Sequence, residues 1–288
     1  MPFGFGIVVD QNMPWGELLA RFERAERLGL DSGWVCDHFV QPSRPQYAGG
    51  YLEGWTLLAA LAARTERLRL GVLVSSNTFR HPALLAKEAV TVDHVSSGRL
   101  ELGLGAGWYA PEHEMYGLAL DRPGALVERY REAVEVVDRL LRADVVSYEG
   151  QHYQLREAVF RPGPIQRPRP PLTLGAHRPR MLAIVARHAD RWNSFGSVEE
   201  MRERNARLDD ACAVIGRDPR AIRRSLYGWA SMMARDPFAS VDAFAEMVGR
   251  YREAGVEEFL IDMPEPAQYD VLDKIAADLL PRLRAGAA

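Results

Sequence analysis

The order of apolar runs along the 288 residues predicts an α/β protein of the parallel (β/α)₈ TIM-barrel class, with insertions after the second and fourth strands. Three observations carry this. Short apolar runs alternate with longer amphipathic ones through eight strand–helix units. Glycines stand where amphipathic runs stop, at Gly29, Gly216 and Gly255. The first strand–helix turn carries no GxGxxG, which weighs against a doubly wound sheet, the main alternative.

The units follow in order. Phe5 to Val9 reads as the first strand and Trp15 to Leu28 as its helix. Gly33 to Cys36 is the second strand, with a helix from Trp55 to Arg64. Leu68 to Val74 is the third, followed by a helix from Pro82 to Val95 that has proline in its first turn. Leu100 to Leu104 is the fourth, with a long helix from about Pro123 to Leu141. The alternation then lapses. Val145 to Leu155 reads as a hairpin turning at Glu149-Gly150, and five prolines between Arg161 and Pro171 mark an extended connector. Residues 145–170 are therefore an excursion from one 1–288 barrel domain, not a second domain. Strands resume at Leu172–Leu174, Arg191–Asn193, within Arg223–Met233 and at Val256–Asp262, with helices over Arg180–Arg187, Val198–Ile215, Asp242–Ala254 and Tyr269–Leu283.

Bulk properties narrow the function classes. The formal net charge of −3 implies no general attraction to nucleic acid. No apolar run reaches the roughly 18 residues a membrane span needs. The N-terminal stretch lacks the basic and apolar regions of a signal peptide. Cys36 and Cys212 are far apart and in no metal-ligand spacing, which fits a reducing cytoplasm, and no metal site is expected. Lys87 and Lys274 are the only lysines, so the positive charge is almost all arginine. That is first a mark of a GC-rich genome; only particular arginines can be anion sites.

In a barrel of this class the chemistry sits just past the C-terminal ends of the strands. After the second strand come Asp37 and His38, a carboxylate and an imidazole that can orient a ligand and move a proton, or simply bond at a loop entrance. After the third come Ser75, Ser76, Asn77 and Thr78, a polar shelf suited to the edge of a planar heterocycle or to an ordinary capped turn. Arg80 pairs with an anion or with a helix carboxylate. After the fourth come Gly105, Ala106 and Gly107, small enough for a flat ligand to lie on backbone, then Trp108, which stacks or packs. After the fifth come Gly175, Ala176, His177 and Arg178, a small-residue turn with arginines before a helix, suited to phosphate. Glu112 and His113 read as a helix start with ordinary polar roles, an acid/base pair being the alternative. Cys36 reads as a buried structural thiol.

Taken together and in order, SGWVCDHF (32–39), LRLGVLVSSNTFRHPALLAKEAVTVDHVSSGRLELGLGAGWYAPEHEMYG (68–117), LGAHRPRMLAIVARHADRWN (174–193) and EAGVEEFLIDMP (253–264) resemble the luciferase-like monooxygenase superfamily, especially its branch that uses the deazaflavin coenzyme F420. The resemblance spans most of the chain, and the second stretch is its most specific part. It implies a (β/α)₈ barrel with insertions. It implies that His38 serves in proton transfer over the redox-active carbon, with Asp37 contacting the ring system. It implies a non-proline cis peptide at Leu73-Val74 beneath the ring, a ring or side-chain contact from Ser76, a wall at Ala106 and Gly107, and a phosphate turn in the backbone of Gly175, Ala176 and His177. His177 and Arg178 stand where a small residue is common, and tighten anion binding or narrow the site.

The departures bear on substrate. The sugar-phosphate dehydrogenases of the branch have a tryptophan soon after Asp-His, where this chain reads VQPSRPQYAGGY; they have an acid after the strand-four glycines, where this chain has Trp108; and their phosphate lysines have no counterparts. A glucose-6-phosphate-like substrate is disfavoured. The leading expectation is hydride transfer between coenzyme F420 and a small organic substrate, with His38 as acid/base and Tyr47, Trp108 and Tyr109 on the substrate side. The alternative is an FMN-dependent monooxygenase using reduced flavin, dioxygen and a separate reductase. A second alternative, a non-catalytic flavin- or deazaflavin-binding protein, is opposed by His38. The resemblance also implies a homodimer with early helices at its interface. Loops 40–51, 108–122 and 145–170 are long enough to form a pocket or lid, and their aromatic residues suit an apolar or aromatic substrate.

Overall fold

The computed structural model describes residues 3–42, 49–229 and 232–286. Parallel strands β1 (Gly4–Val8), β2 (Ser32–Val35), β3 (Arg69–Val72), β4 (Ser75–Ser76) and β5 (Leu100–Gly105) are followed by the antiparallel pair β6 (Val145–Glu149) and β7 (Gln154–Val159). The parallel set resumes with β8 (Leu172–Gly175), β9 (Arg191–Ser194), β10 (Arg223–Gly228) and β11 (Glu258–Asp262). The sheet order is β3-β2-β1-β11-β10-β9-β8-β5-β4, and a β3–β5 pairing closes it. Counting β3 and β4 as one interrupted strand, this is the closed eight-stranded parallel barrel the alternation predicts.

The interruption is local. Continuous strand was expected from Leu68 to Val74, but pairing lapses at a cis peptide between Leu73 and Val74 and is recovered at Ser75–Ser76, which pair with Leu104 and Gly105. The implied cis bond is therefore present.

Helices α1 (Trp15–Arg27), α2 (Gly54–Ala62), α3 (Pro82–Val95), α4 (Ala110–Tyr116), α5 (Pro123–Arg142), α6 (Pro179–His188), α7 (Val198–Val214) and α8 (Val241–Glu253) surround the barrel. Tyr269–Arg284 closes the chain as α9 (Tyr269–Lys274), a π turn (Ile275–Leu279) and α10 (Leu280–Arg284). Most of the apolar residues lie in the layer between strands and helices. A separate cluster of Val8, Trp34, Leu73 and Leu260 fills the barrel's centre. Trp34 fits there because its neighbour is Gly71, where a Cβ would fall 2.4 Å from the indole.

Two expectations are corrected. The stretch 108–122 counts among the long loops of the sequence, but it contains α4, in which Glu112 and His113 stand near a helix start as expected; α4 has Pro111 in its first turn and ends at Gly117 with φ 66°. Seven residues are too few to show helical periodicity. The hairpin's second strand runs on to Val159, because the turn sits later than Glu149-Gly150. The buried Glu132 carboxylate of α5 collects the amides of Gln151, His152 and Tyr153, which fixes the turn there.

Beneath Trp34, at the N-terminal ends of the strands, the barrel is closed by charge. Arg191 is buried between Glu101 and Glu258, with Nε 2.7 Å from Glu258, and Arg69 joins Glu101. Burial opposes the charge on Glu101, but Arg191 and Arg69 outweigh it and hold the carboxyl below its ordinary range. Among the described residues no helix is long and apolar enough to cross a membrane.

Candidate active site

The opposite, C-terminal end of the strands opens into a cavity of about 1120 Å³. Its lining includes Asp37, His38, Leu73, Val74, Ser76, Ala106, Gly107, Trp108, Tyr109, Gly175, Ala176, His177 and Arg178. The strand-end candidates thus share one cavity. Tyr47 lies outside the described residues.

His38 is half-buried, and its Nδ1 is 2.8 Å from Glu112 Oε2. Glu112 is fully buried and also accepts from the amides of Phe39 and Val40. Burial works against its charge, but the His38 bond and the two amides prevail and hold it below the ordinary carboxylate range. A carboxylate has no proton to give, so Nδ1 is the donor and Nε2 is left as the working nitrogen of the neutral ring. Trp108 and Tyr109 flank the imidazole edge-on at 5.9 and 6.4 Å between ring centres. Trp108 is 59 % exposed and forms part of the mouth, with its ring against His38 and Tyr109.

Asp37 is buried with both oxygens engaged. Arg80 donates to each, at 2.6 and 3.0 Å, and the Ser76 amide donates at 2.7 Å. Arg80 also reaches Glu53, the N-cap of α2, and Glu88 of α3. Of the two outcomes read for Arg80, carboxylate pairing is the one found. Through it, Asp37 pins the backbone of the polar shelf just past the cis bond.

Behind the shelf runs a chain of hydrogen bonds. Ser76 Oγ is 2.8 Å from Thr78 Oγ1, which is 2.7 Å from His113 Nε2, while His113 Nδ1 is 2.8 Å from the Tyr109 carbonyl. Gly107, at φ 90°, leaves room for it: a Cβ there would lie 2.5 Å from Thr78 Oγ1 and 3.0 Å from Ser76 Oγ.

At the far side, His177 bonds Ser194 Oγ at 2.8 Å and meets the Phe195 ring edge-on at 4.3 Å. Burial, then Arg204 and Arg178, bring its pKa down to about 4, so the ring is neutral at pH 7. Arg178 is exposed at the start of α6 with no partner among the described residues, whereas Arg180 is tied to Glu128. On the cavity floor, burial and the carboxylates of Asp262 and Asp10 push the Cys36 thiol up to about 12, which removes it as a nucleophile. Tyr227 donates to Asp262 at 2.9 Å nearby. Among the described residues no three His, Cys, Asp or Glu side chains are grouped to hold a metal.

The sequence reading did not give Glu112 its place. Glu112 stands near the expected helix start, and it pairs with His38 rather than with His113, the acid/base alternative; a carboxylate in a first turn is ordinary, and what distinguishes this one is complete burial on a helix too short to show a buried face.

A family model described as luciferase-like monooxygenase matches residues 1–269. The chain belongs to this family. Among its relatives is a phthiodiolone/phenolphthiodiolone dimycocerosates ketoreductase from Mycobacterium sp. (strain JLS), 33 % identical over 76 % of this chain. The chain spans 63 % of that relative's length and 57 % of its counterpart from Mycobacterium kansasii. An F420-dependent glucose-6-phosphate dehydrogenase from Amycolatopsis mediterranei is 35 % identical over 58 % of this chain and 48 % of its own length. An F420-dependent secondary alcohol dehydrogenase, solved with an F420-acetone adduct, superposes with a TM-score of 0.83 at 18 % identity, over 96 % of this chain and 98 % of that one. This last likeness is one of fold.

Proposed function

We propose that the chain is a deazaflavin-dependent oxidoreductase that exchanges hydride between coenzyme F420 and a small organic substrate. The observation that carries it is His38, held by the buried Glu112 at the mouth of a cavity lined in part by small residues. The lining fits a flat, phosphate-bearing group. Gly105, Ala106, Gly107, Gly175 and Ala176 line part of the cavity with small residues, and the Val74 side chain, just past the cis bond, packs against Gly105 and Gly175. The Gly175–His177 turn would hold the phosphate, with Arg178, which has no partner among the described residues, as its cation and a neutral His177 that adds no charge.

Bound there, the deazaflavin supplies the hydride chemistry. The protein's own part is protonic and steric. Glu112 fixes the His38 tautomer, and its negative charge stabilises the imidazolium that forms when Nε2 takes a proton. Trp108 and Tyr109 wall the substrate side, which suits an apolar or aromatic substrate. The same reading places the protein in the cytoplasm as a homodimer. Free Cys36 and Cys212 support the first, and the exposed Leu84 and Val95 on α3 the second.

The test is cofactor binding. Apoprotein titrated with oxidised coenzyme F420 and separately with FMN should bind the deazaflavin at micromolar or lower concentration and FMN at least tenfold more weakly. The reverse preference would make it a flavin enzyme, with dioxygen the co-substrate to add. Binding of neither to folded protein ends both readings.

A further inference from the structure

The hydrogen-bond chain behind the shelf has a direction. The Tyr109 carbonyl can only accept, so His113 Nδ1 carries the proton and, in the neutral ring, Nε2 is a bare acceptor. Thr78 must therefore donate to His113, and Ser76 must donate to Thr78. With its one proton so committed, Ser76 Oγ presents only lone pairs to the cavity it lines. The chain is held at both ends. Asp37 accepts the Ser76 amide, and His113 is 2 % exposed under the Phe79 ring, 5.3 Å away. The nearest charge in sequence, Glu112, is occupied by His38 and the Phe39 and Val40 amides. α4 thus serves two routes at once: Glu112 backs His38, and His113 backs Ser76.

We propose that Ser76, Thr78 and His113 form a second proton-handling route in the cavity, in which Ser76 accepts from an N–H or O–H of the bound ligand and His113 is the buried base behind it. A proton leaving that donor bonds to Ser76 Oγ as the Ser76 proton passes to Thr78 Oγ1 and the Thr78 proton to His113 Nε2. Three bonds to hydrogen form as three break, and the positive charge appears on the imidazole. His113 touches no ligand in this scheme and is a positioning residue; Ser76 makes the contact. The proposal rests on a deazaflavin occupying the cavity, but its polarity is testable without one.

The experiment is nitrogen NMR of protein labelled with ¹⁵N-histidine, alone and with coenzyme F420. Ligand-free His113 should show a protonated Nδ1 and a bare Nε2. Thr78→Val should move the Nε2 signal while His38 keeps its own, and Thr78→Ser, which restores a hydroxyl, should return it. Adding coenzyme F420 should shift Nε2 in the wild type and in Thr78→Ser but not in Thr78→Val. Ser76→Ala should weaken binding about fivefold, the effect of one neutral hydrogen bond. A proton on Nε2 and a bare Nδ1 in the ligand-free protein, or a ligand response that survives Thr78→Val, overturns the proposal. If coenzyme F420 does not bind, the proposed function fails, and the ligand-free tautomer with its response to Thr78→Val still decides the polarity of the chain.

Discussion

The two ends of the barrel both bury charge, and they handle it in opposite ways. At the N-terminal end Arg191 sits between Glu101 and Glu258, with Arg69 alongside, so each charge is answered by another. At the C-terminal end Glu112 is answered by two amides and by His38, whose second nitrogen has no partner among the described residues. The lower arrangement sets each buried charge against a fixed countercharge and closes the barrel. The upper one keeps a single titratable atom facing a cavity. The difference is between charge satisfied by countercharge, which is inert, and charge satisfied by a proton carrier, which is reactive.

Substitutions at the two ends should separate these roles. His38→Ala should lower kcat by about 10²–10⁴-fold, the usual contribution of a positioned acid/base, with a smaller stability loss of about 1–2 kcal/mol from the buried Glu112 oxygen left without its partner. Arg191→Met should do the reverse. It leaves Glu101 with Arg69 alone and Glu258 with only Arg223 at 3.6 Å among the described residues, at a cost of about 3 kcal/mol in denaturant unfolding, while cofactor affinity in the folded fraction is kept. A drop in cofactor affinity to match would mean that the ends are coupled through Trp34.

Glu112→Gln falls between. The amide still accepts a hydrogen bond but carries no charge to stabilise an imidazolium, so an activity loss of about 10–100-fold with about 1–2 kcal/mol of stability is expected from parallel kinetic and unfolding measurements. A loss of stability alone would reduce Glu112 to a loop anchor.

Acid should distinguish the ends as well. The Glu101 carboxyl is held below its ordinary 4.5, so its stabilisation is complete above that pH and is lost as pH falls through the lower folded value. His177 acts in a higher window. Its pKa falls from 6.5 to about 4, so the unfolded chain binds the proton first and stability declines as pH drops from 6.5 towards 4. His177→Asn should flatten that decline by about 2 kcal/mol in unfolding free energy. An unchanged slope would show that the ring takes up its proton in the folded state.

The barrel was legible because strand and helix periods are repeated signals, each supported by a glycine stop such as Gly29 or Gly255. His38, Ser76, Gly107 and Gly175 were legible for a related reason: position at a strand end is itself information in this architecture. What joins them was not. His38 and Glu112 are 74 residues apart, Thr78 and His113 are 35, and Asp37 and Arg80 are 43. No local pattern marks a pair across such gaps. Glu112 also looked like any acid near a helix start, and its burial is a property of how α4 docks.

α4 links two side chains that a sequence alignment column would treat separately. Adjacent residues on a helix point about 100° apart, and here that angle sends a carboxylate to one imidazole and an imidazole to a hydroxyl pair. Adding or deleting one residue between Gly107 and Glu112 would turn both away together. The spacing of this short connection is therefore under tighter constraint than its composition: a different side chain at the exposed Trp108 keeps both directions, whereas a different number of residues between the strand and the helix does not.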